Sequence, residues 1–156
     1  MPPAEPRELR EQDLARVVQI EAATFSDPWN RVAFAETLAR DAVVALALDD
    51  DQGRLAGYAI GVQAADEGEI LNLAVDPAVR RQGIGRRLVE ALIDRLGKSG
   101  AEQVFLEVRR SNTAAIGLYR SAGFSVLGER RGYYSHPRED ALTMGLFVTG
   151  NTAKKG

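Results

Sequence analysis

The chain has no cysteine and a single histidine among its 156 residues. Disulfides, zinc–thiolate sites and a cysteine nucleophile are therefore excluded, and no metal is implied. The histidine, His136, lies in a polar stretch beside Pro137 and reads as a loop residue rather than a ligand. An excess of charge of one sign is also missing: 20 basic against 22 acidic residues leave a formal charge of −2. No global basic field argues for nucleic acid or an anionic membrane, so any cationic function must be local. No apolar run approaches the length of a membrane span, and Met1-Pro2-Pro3-Ala4-Glu5-Pro6 does not have the form of a signal peptide. With 45% hydrophobic and 27% charged residues, the chain has the composition of an ordinary globular protein, expected in the cytoplasm.

Length supports one domain spanning 1–156, with a core over about 6–148 and a loose polar tail over 149–156. A short strand near Arg7-Leu9 precedes a helix over 11–23, where Leu14, Val17, Val18 and Ala22 recur at helical spacing. Ser26-Asp27-Pro28-Trp29 breaks that helix, and a second follows over about 30–40. Strands are expected at 42–48 and 54–63, around the turn Asp49-Asp50-Asp51-Gln52-Gly53. Ile70-Leu71-Asn72-Leu73-Ala74-Val75 is nearly continuously apolar, as in a central strand covered on both faces. A helix over 84–96 places Ile84, Leu88, Leu92 and Leu96 four apart, and Gly97 and Gly100 are expected to end it. After a strand at 104–108, Ser111 is the expected cap of a helix carrying Ala115, Leu118, Tyr119 and Ala122. Two strands, about 124–132 and 139–148, close the chain around Ser135-His136-Pro137. The order β-α-α-β-β-β-α-β-α-β-β describes an α+β, mixed three-layer α/β/α domain, with one βαβ unit in an otherwise antiparallel sheet.

The local cationic feature is Arg80-Arg81-Gln82-Gly83-Ile84-Gly85-Arg86, which follows the central strand and opens an amphipathic helix. Glycine admits close backbone approach, a helix start offers unpaired N–H groups, and arginine adds charge-assisted bonds to phosphate. It is not a dinucleotide fingerprint, because Leu88 stands where the third glycine belongs. Nor is it a nucleotide-triphosphate loop, because Arg86-Arg87 replaces Lys-Ser/Thr after Gly85. Taken alone, the same residues also fit a βα turn with glycines for geometry and arginines for solubility.

Taken together, the motifs resemble a known family. Asn72-Leu73-Ala74-Val75-Asp76-Pro77 followed by Arg80 to Arg86 is similar to motif A of the GCN5-related N-acetyltransferases (GNAT). Leu106-Glu107-Val108-Arg109, Ser111-Asn112, Leu118-Tyr119 and Gly123-Phe124 resemble motif B. Arg130-Arg131-Gly132-Tyr133-Tyr134 and Arg138-Glu139-Asp140-Ala141 narrow the resemblance to the RimI-like branch, the ribosomal-protein N-terminal alanine acetyltransferases. Two departures lie near the expected acceptor site: Gly132 stands where that branch often has asparagine, and the Ser135-His136-Pro137 turn is short.

The resemblance implies a GNAT fold with a mostly antiparallel sheet and one parallel βαβ pair at the acetyl-coenzyme A site. It also implies direct acetyl transfer from that cosubstrate to an N-terminal α-amino group, with a protein or peptide as partner, and a small-subunit ribosomal protein as the branch's acceptor. Backbone groups of Leu73, Ala74 and Val75 would pair with the pantetheine arm, as a peptide adds to a sheet. The loop Arg80, Arg81, Gln82, Gly83, Ile84, Gly85 and Arg86 would hold the pyrophosphate, with Asn112 as a further contact, although helix capping also explains an asparagine there.

Glu107 would be the general base and Tyr119 the general acid for the departing thiolate. Read from the residues alone, Glu107 is first a solvent-facing glutamate paired with a nearby arginine, and Tyr119 a core residue. Trp29, Tyr133 and Tyr134 are the candidate acceptor contacts, although Trp29 equally fits the core. Two other readings stay open: a GNAT enzyme acting on lysine or a small amine, and a non-catalytic acyl-coenzyme A-binding module. Asp66, Glu67 and Glu69 lend some acidity for a small cationic acceptor, but an exposed turn explains them more simply.

Overall fold

The expected alternation of elements appears in order in the computed structural model, which describes residues 4–80 and 82–148. The elements are β1 (Arg7–Glu8), α1 (Leu14–Thr24), α2 (Arg31–Leu38), β2 (Val43–Asp49), β3 (Leu55–Ala64), β4 (Glu67–Val75), α3 (Ile84–Lys98), β5 (Gln103–Arg109), α4 (Thr113–Ser121), β6 (Ser125–Ser135) and β7 (Arg138–Phe147). Arg81, the first three residues and the tail expected over 149–156 lie outside the described residues.

Several helix boundaries differ from the sequence reading for local reasons. The first helix begins at Leu14, because a single 3-10 turn (Glu11–Asp13) precedes it. The Asn30 side chain caps α2 by accepting the Ala33 N–H at 2.8 Å. Asn112, not Ser111, caps α4: its Oδ1 accepts the Ala115 N–H at 3.1 Å. Gly97 does not end α3, which continues through Lys98; Gly97 is buried inside it.

One sheet holds all seven strands in the order β1-β2-β3-β4-β5-β7-β6. All neighbours are antiparallel except β4 and β5, so the class is α+β as the sequence indicated. The two faces carry separate cores. Leu88, Leu92 and Leu96 of α3 pack with Val104, Leu106, Tyr119, Phe124 and Met144 on one face. Leu14, Val17 and Ile20 of α1 pack with Phe34, Tyr58 and Ile60 on the other.

Two features of β4 position the site. Its parallel pairing with β5 lasts only from Glu67–Gln103 to Glu69–Phe105, and beyond that the strands part. Against β3, Asn72 pairs with Ile60 and Ile70 with Gly61, so Leu71 is an extra, bulged residue. The bulge breaks the alternation of faces. Ile70 and Leu73 pack on the α3 side, while Leu71 packs on the α1 side and Asn72 bonds to a residue of α1.

The third helix is seated by small residues on β3. A Cβ at Gly57 would meet the Ala74 carbonyl oxygen at 3.0 Å, Leu88 at 3.1 Å and Ile84 at 3.2 Å. A side chain there must push α3 off the sheet. Gly57→Val is expected to destabilise the fold by about 1–3 kcal/mol through overpacking. A shift of the urea unfolding midpoint with unchanged slope would report it; an unshifted midpoint would refute this account of the seat.

Candidate active site

Where β4 and β5 part, the sheet opens into a cleft of about 410 Å³ lined from both faces. Asn72 and Leu73 come from β4, Glu107 and Arg109 from β5, Tyr119 from α4 and Trp29 from the loop between α1 and α2. From Ile70 onward the β5-facing edge of β4 has no ladder partner among the described residues. That edge is open to pair with an extended ligand.

The α3 side carries the turn that the sequence offers as a phosphate cradle. Gly83 is the N-cap of α3 with φ of +78°, a left-handed conformation that glycine enters without steric cost. No side chain caps the helix, and the bond from Arg87 N–H to the Gly83 carbonyl at 3.1 Å closes its first turn. The amides of Ile84, Gly85 and Arg86 therefore have no intrahelical acceptor, and the helix dipole favours an anion in front of them. Arg80 and Gln82 are exposed beside this turn, and the Ile84 side chain is core. The Arg86 guanidinium bonds to Glu90 at 2.8 Å and Ser121 at 3.2 Å, so its backbone is the freer donor. Arg81 is outside the described residues. Leu73 and Val75 pack on this side and Ala74 on the other.

Tyr119 is buried, with its ring at 5.6 Å from Phe124, edge to face. Its hydroxyl makes no hydrogen bond among the described residues, yet none of their fully buried side-chain polar atoms lacks a partner. The hydroxyl therefore opens to the cleft. Burial, with the nearby Tyr134 adding to it, pushes its pKa well above the usual tyrosine value, so it holds its proton.

Glu107 faces the opposite side, with 14% of its side chain exposed. Thr143 donates to Oε2, and Arg130 Nε lies 3.6 Å from the same oxygen. Oε1 has no partner among the described residues, and Glu107 lines the cleft. Glu107 thus lies beside an arginine, as one reading expected, but is largely buried and lines the cleft. Glu69 lines a second depression with Glu107, and burial followed by the Glu107 charge raises its pKa.

On this side the α1–α2 loop and the β6–β7 turn form the rim, joined by Ser26 Oγ donating to the His136 carbonyl at 3.3 Å. Arg109 organises the turn: it donates to Pro137 O at 2.9 Å and His136 O at 3.1 Å, and covers the Tyr134 ring at 4.2 Å. Burial, with Tyr133 beside it, pushes the Tyr134 hydroxyl up to about 12. Tyr134 lines the cleft; Tyr133 is 49% exposed against Arg130 and does not. Gly132 has φ of +60°, a region that asparagine also enters more readily than most residues, so glycine in place of asparagine keeps the backbone path. Asn112 lines the cleft as well as capping α4. Trp29 likewise serves in two ways, packing on Phe34 at 5.1 Å while forming cleft wall.

Sequence reasoning missed the most buried polar group of the site. Glu21 is 2% exposed and accepts from Tyr58 Oη at 2.5 Å, Asn72 Nδ2 at 2.8 Å and the Trp29 N–H at 3.0 Å. Burial and the Glu21 charge raise the pKa of Tyr58, which keeps it a donor. The available signal was positional: Glu21 stands seven residues after Leu14, on the apolar stripe of α1, and Asn72 interrupts an apolar strand.

A profile of the acetyltransferase (GNAT) family matches residues 14–124. The chain is 41% identical over 143 residues to the [Ribosomal protein bS18]-alanine N-acetyltransferase of Escherichia coli strain K12, covering 90% of this chain and 95% of that protein. It is 40% identical over 142 residues to the N-alpha-acetyltransferase RimI of Mycobacterium tuberculosis, covering 87% of each. The crystal structure of the ribosomal-protein-S18-alanine N-acetyltransferase from Escherichia coli superposes with a TM-score of 0.84 at 39% identity, over 93% of this chain and 94% of that one.

Removing the Glu21 carboxylate leaves the donors of Tyr58, Asn72 and Trp29 facing an empty space. Each buried donor left unpaired costs roughly 1–3 kcal/mol. Glu21→Ala is accordingly expected to lower stability by more than about 2 kcal/mol in urea denaturation. A loss under about 0.5 kcal/mol, typical of a surface change, would show that the cluster contributes little.

Proposed function

Because the chain belongs to the acetyltransferase (GNAT) family and is an acetyl-coenzyme A-dependent N-acetyltransferase, we propose that it acetylates the N-terminal α-amino group of a protein. The observation that carries this reading is the cleft itself. It joins a donor side built of backbone to an acceptor side carrying Glu107, with Tyr119 between them. Similarity to alanine N-acetyltransferases of bS18 over nine-tenths of the chain supports a ribosomal protein beginning with alanine as the acceptor. Such an acceptor places the reaction in the cytoplasm.

Acid–base arithmetic favours the α-amine. With a pKa of about 8, roughly one N-terminus in ten is neutral at pH 7, against about one lysine in a few thousand. The gap is worth about 3 kcal/mol, which a lysine acceptor would need from the site. Glu107 offers a single free carboxylate oxygen, suited to taking one proton, directly or through one water. The free amides at the start of α3 and the guanidinium of Arg80 fit a pyrophosphate, and the open edge of β4 fits the pantetheine arm.

The acetyl thioester supplies the activated acyl group. The neutral amine attacks its carbonyl carbon, so that a C–N bond forms and the C–S bond breaks. Glu107 receives the proton lost by nitrogen, and Tyr119 gives its proton to the thiolate. A backbone N–H of β4 at its open edge stabilises the negative charge developing on the carbonyl oxygen. Tyr134 and the Trp29 loop hold the first residues of the acceptor.

Peptides with a free or blocked N-terminus and an internal lysine, incubated with acetyl-coenzyme A, test the reading by mass spectrometry. Acetylation is expected only where the N-terminus is free, and best where alanine is first; persistence in the blocked series would move the assignment to lysine. Glu107→Gln and Tyr119→Phe should each lower kcat by about 10²–10⁴ while donor affinity stays near wild type. Unchanged turnover in both would remove these roles.

The pH dependence has a definite sign. A general acid with a raised pKa stays protonated as pH climbs, while the amine becomes neutral near its pKa of about 8. The rate should rise through about pH 8 with no falling limb from Tyr119 below about pH 10. A falling limb below about pH 9 that vanishes in Tyr119→Phe would contradict the burial argument.

A further inference from the structure

Asn72 is 8% exposed and Glu21 2% exposed, and neither has a place in the mechanism above. No lysine or arginine pairs with Glu21 among the described residues; its partners are the hydroxyl of Tyr58, the amide NH2 of Asn72 and the backbone N–H of Trp29. A carboxylate surrounded by donors only accepts, so Asn72 must turn its nitrogen toward it. The side-chain oxygen of Asn72 then points away from α1. It accepts no hydrogen bond among the described residues, and because no fully buried side-chain polar atom there lacks a partner, this oxygen reaches the cleft. The bulge at Leu71 is what brings Asn72 to the α1 side of β4, the side on which β5 presents Glu107. An acceptor oxygen thus stands on one wall of the opening and a carboxylate oxygen on the other.

We propose that Asn72 orients the attacking amine by accepting one of its N–H groups, and that Glu21 is the positioning residue that fixes the Asn72 amide with its oxygen toward the cleft. The inference rests on the α-amine reading above for its natural acceptor. A neutral primary amine carries two N–H groups and one lone pair. One N–H goes to Asn72, the second is the proton that Glu107 removes, and the lone pair is left for the thioester carbon. A secondary amine has one N–H and must leave one of the two acceptors unpaired, so the arrangement selects primary amines.

Glu21→Gln tests this without changing volume. A glutamine satisfies the Trp29 N–H only with its oxygen on that side, which turns its NH2 toward Tyr58 and Asn72. Asn72 then pairs by turning its oxygen inward and showing its NH2 to the cleft, where it opposes the amine.

The assay compares two peptides that differ only in an N-methyl group on a first alanine, with kcat and KM measured separately and acetyl-coenzyme A affinity read by calorimetry. The wild type is expected to favour the primary amine by about tenfold or more. Glu21→Gln and Asn72→Ala should cut kcat/KM for the primary amine about 10- to 100-fold, leave the N-methyl peptide little changed and keep donor affinity within about twofold. The ratio between the peptides then collapses toward one. If Asn72→Ala fails to fold, the isosteric Glu21→Gln decides alone. A ratio retained in Glu21→Gln overturns the proposal, as does an equal loss on both peptides with a parallel loss of donor binding. Should the wild type modify only lysine, the α-amine reading fails separately, and the same ratio is read with lysine and Nε-methyl-lysine.

Discussion

The parting of β4 from β5 is the constraint on which the rest of the molecule depends. The two strands hold together over three residue pairs and then separate, which breaks a sheet that is otherwise paired from edge to edge. An interrupted ladder exposes backbone polar groups, and such groups are costly unless something pairs with them. Here the cost has a use. In the function proposed above, the gap lets a donor on the α3 side meet an acceptor on the α1 side, through the sheet and not around it. The bulge at Leu71 belongs to the same device, because it shifts the facing of side chains where the strands begin to part.

The two sides of the gap are held by different physics. On the α3 side, apolar packing does the positioning: Leu88, Leu92 and Leu96 are fully buried, and Gly57 lets the helix lie close against the sheet. The α1 side is held by polar contacts. Arg109 binds two carbonyls of the β6–β7 turn and covers Tyr134, while Glu21 joins α1, β3, β4 and the Trp29 loop through three donors. A buried carboxylate without a cationic partner contributes little net stability compared with an apolar side chain of the same size. Its directional bonds instead fix which atoms face the cleft, a property that apolar packing lacks.

Periodicity made most of the fold legible. The four-residue spacing of Ile84, Leu88, Leu92 and Leu96 marks α3, and the alternation of Val104, Leu106 and Val108 against Glu107 marks the outward face of β5. Both patterns survive because each element buries one regular face. Tertiary context overrode sequence signals at smaller scale. Asn112 won the cap from Ser111 because its side chain reaches the Ala115 N–H, while Glu139 takes the Ser111 N–H at 2.7 Å. Gly97, a helix stop by composition, is kept inside α3, where a Cβ would meet Val148 at 2.7 Å. The polar floor of the site was the least legible part. Glu21 and Asn72 come from elements fifty-one residues apart, and no spacing announces their bond. Only a charge on an apolar stripe and an amide in an apolar strand hinted at it.

Neither wall of the acceptor side can be varied freely without disturbing the other. Glu107 keeps one oxygen available because Thr143 and Arg130 both fall on the other one, so β6 and β7 decide how this carboxylate presents itself. Those same strands end in the turn that Arg109 ties to Tyr134. Across the gap, the Trp29 N–H ends on Glu21, so a shift in the α1–α2 loop is felt at Asn72. The rim that would read the acceptor's identity is thereby wired to the groups that would handle its amine. Changes of acceptor by loop substitution should therefore alter turnover together with affinity, whereas substitutions in the turn before α3, the proposed phosphate cradle, share none of these bonds and should act on the donor alone.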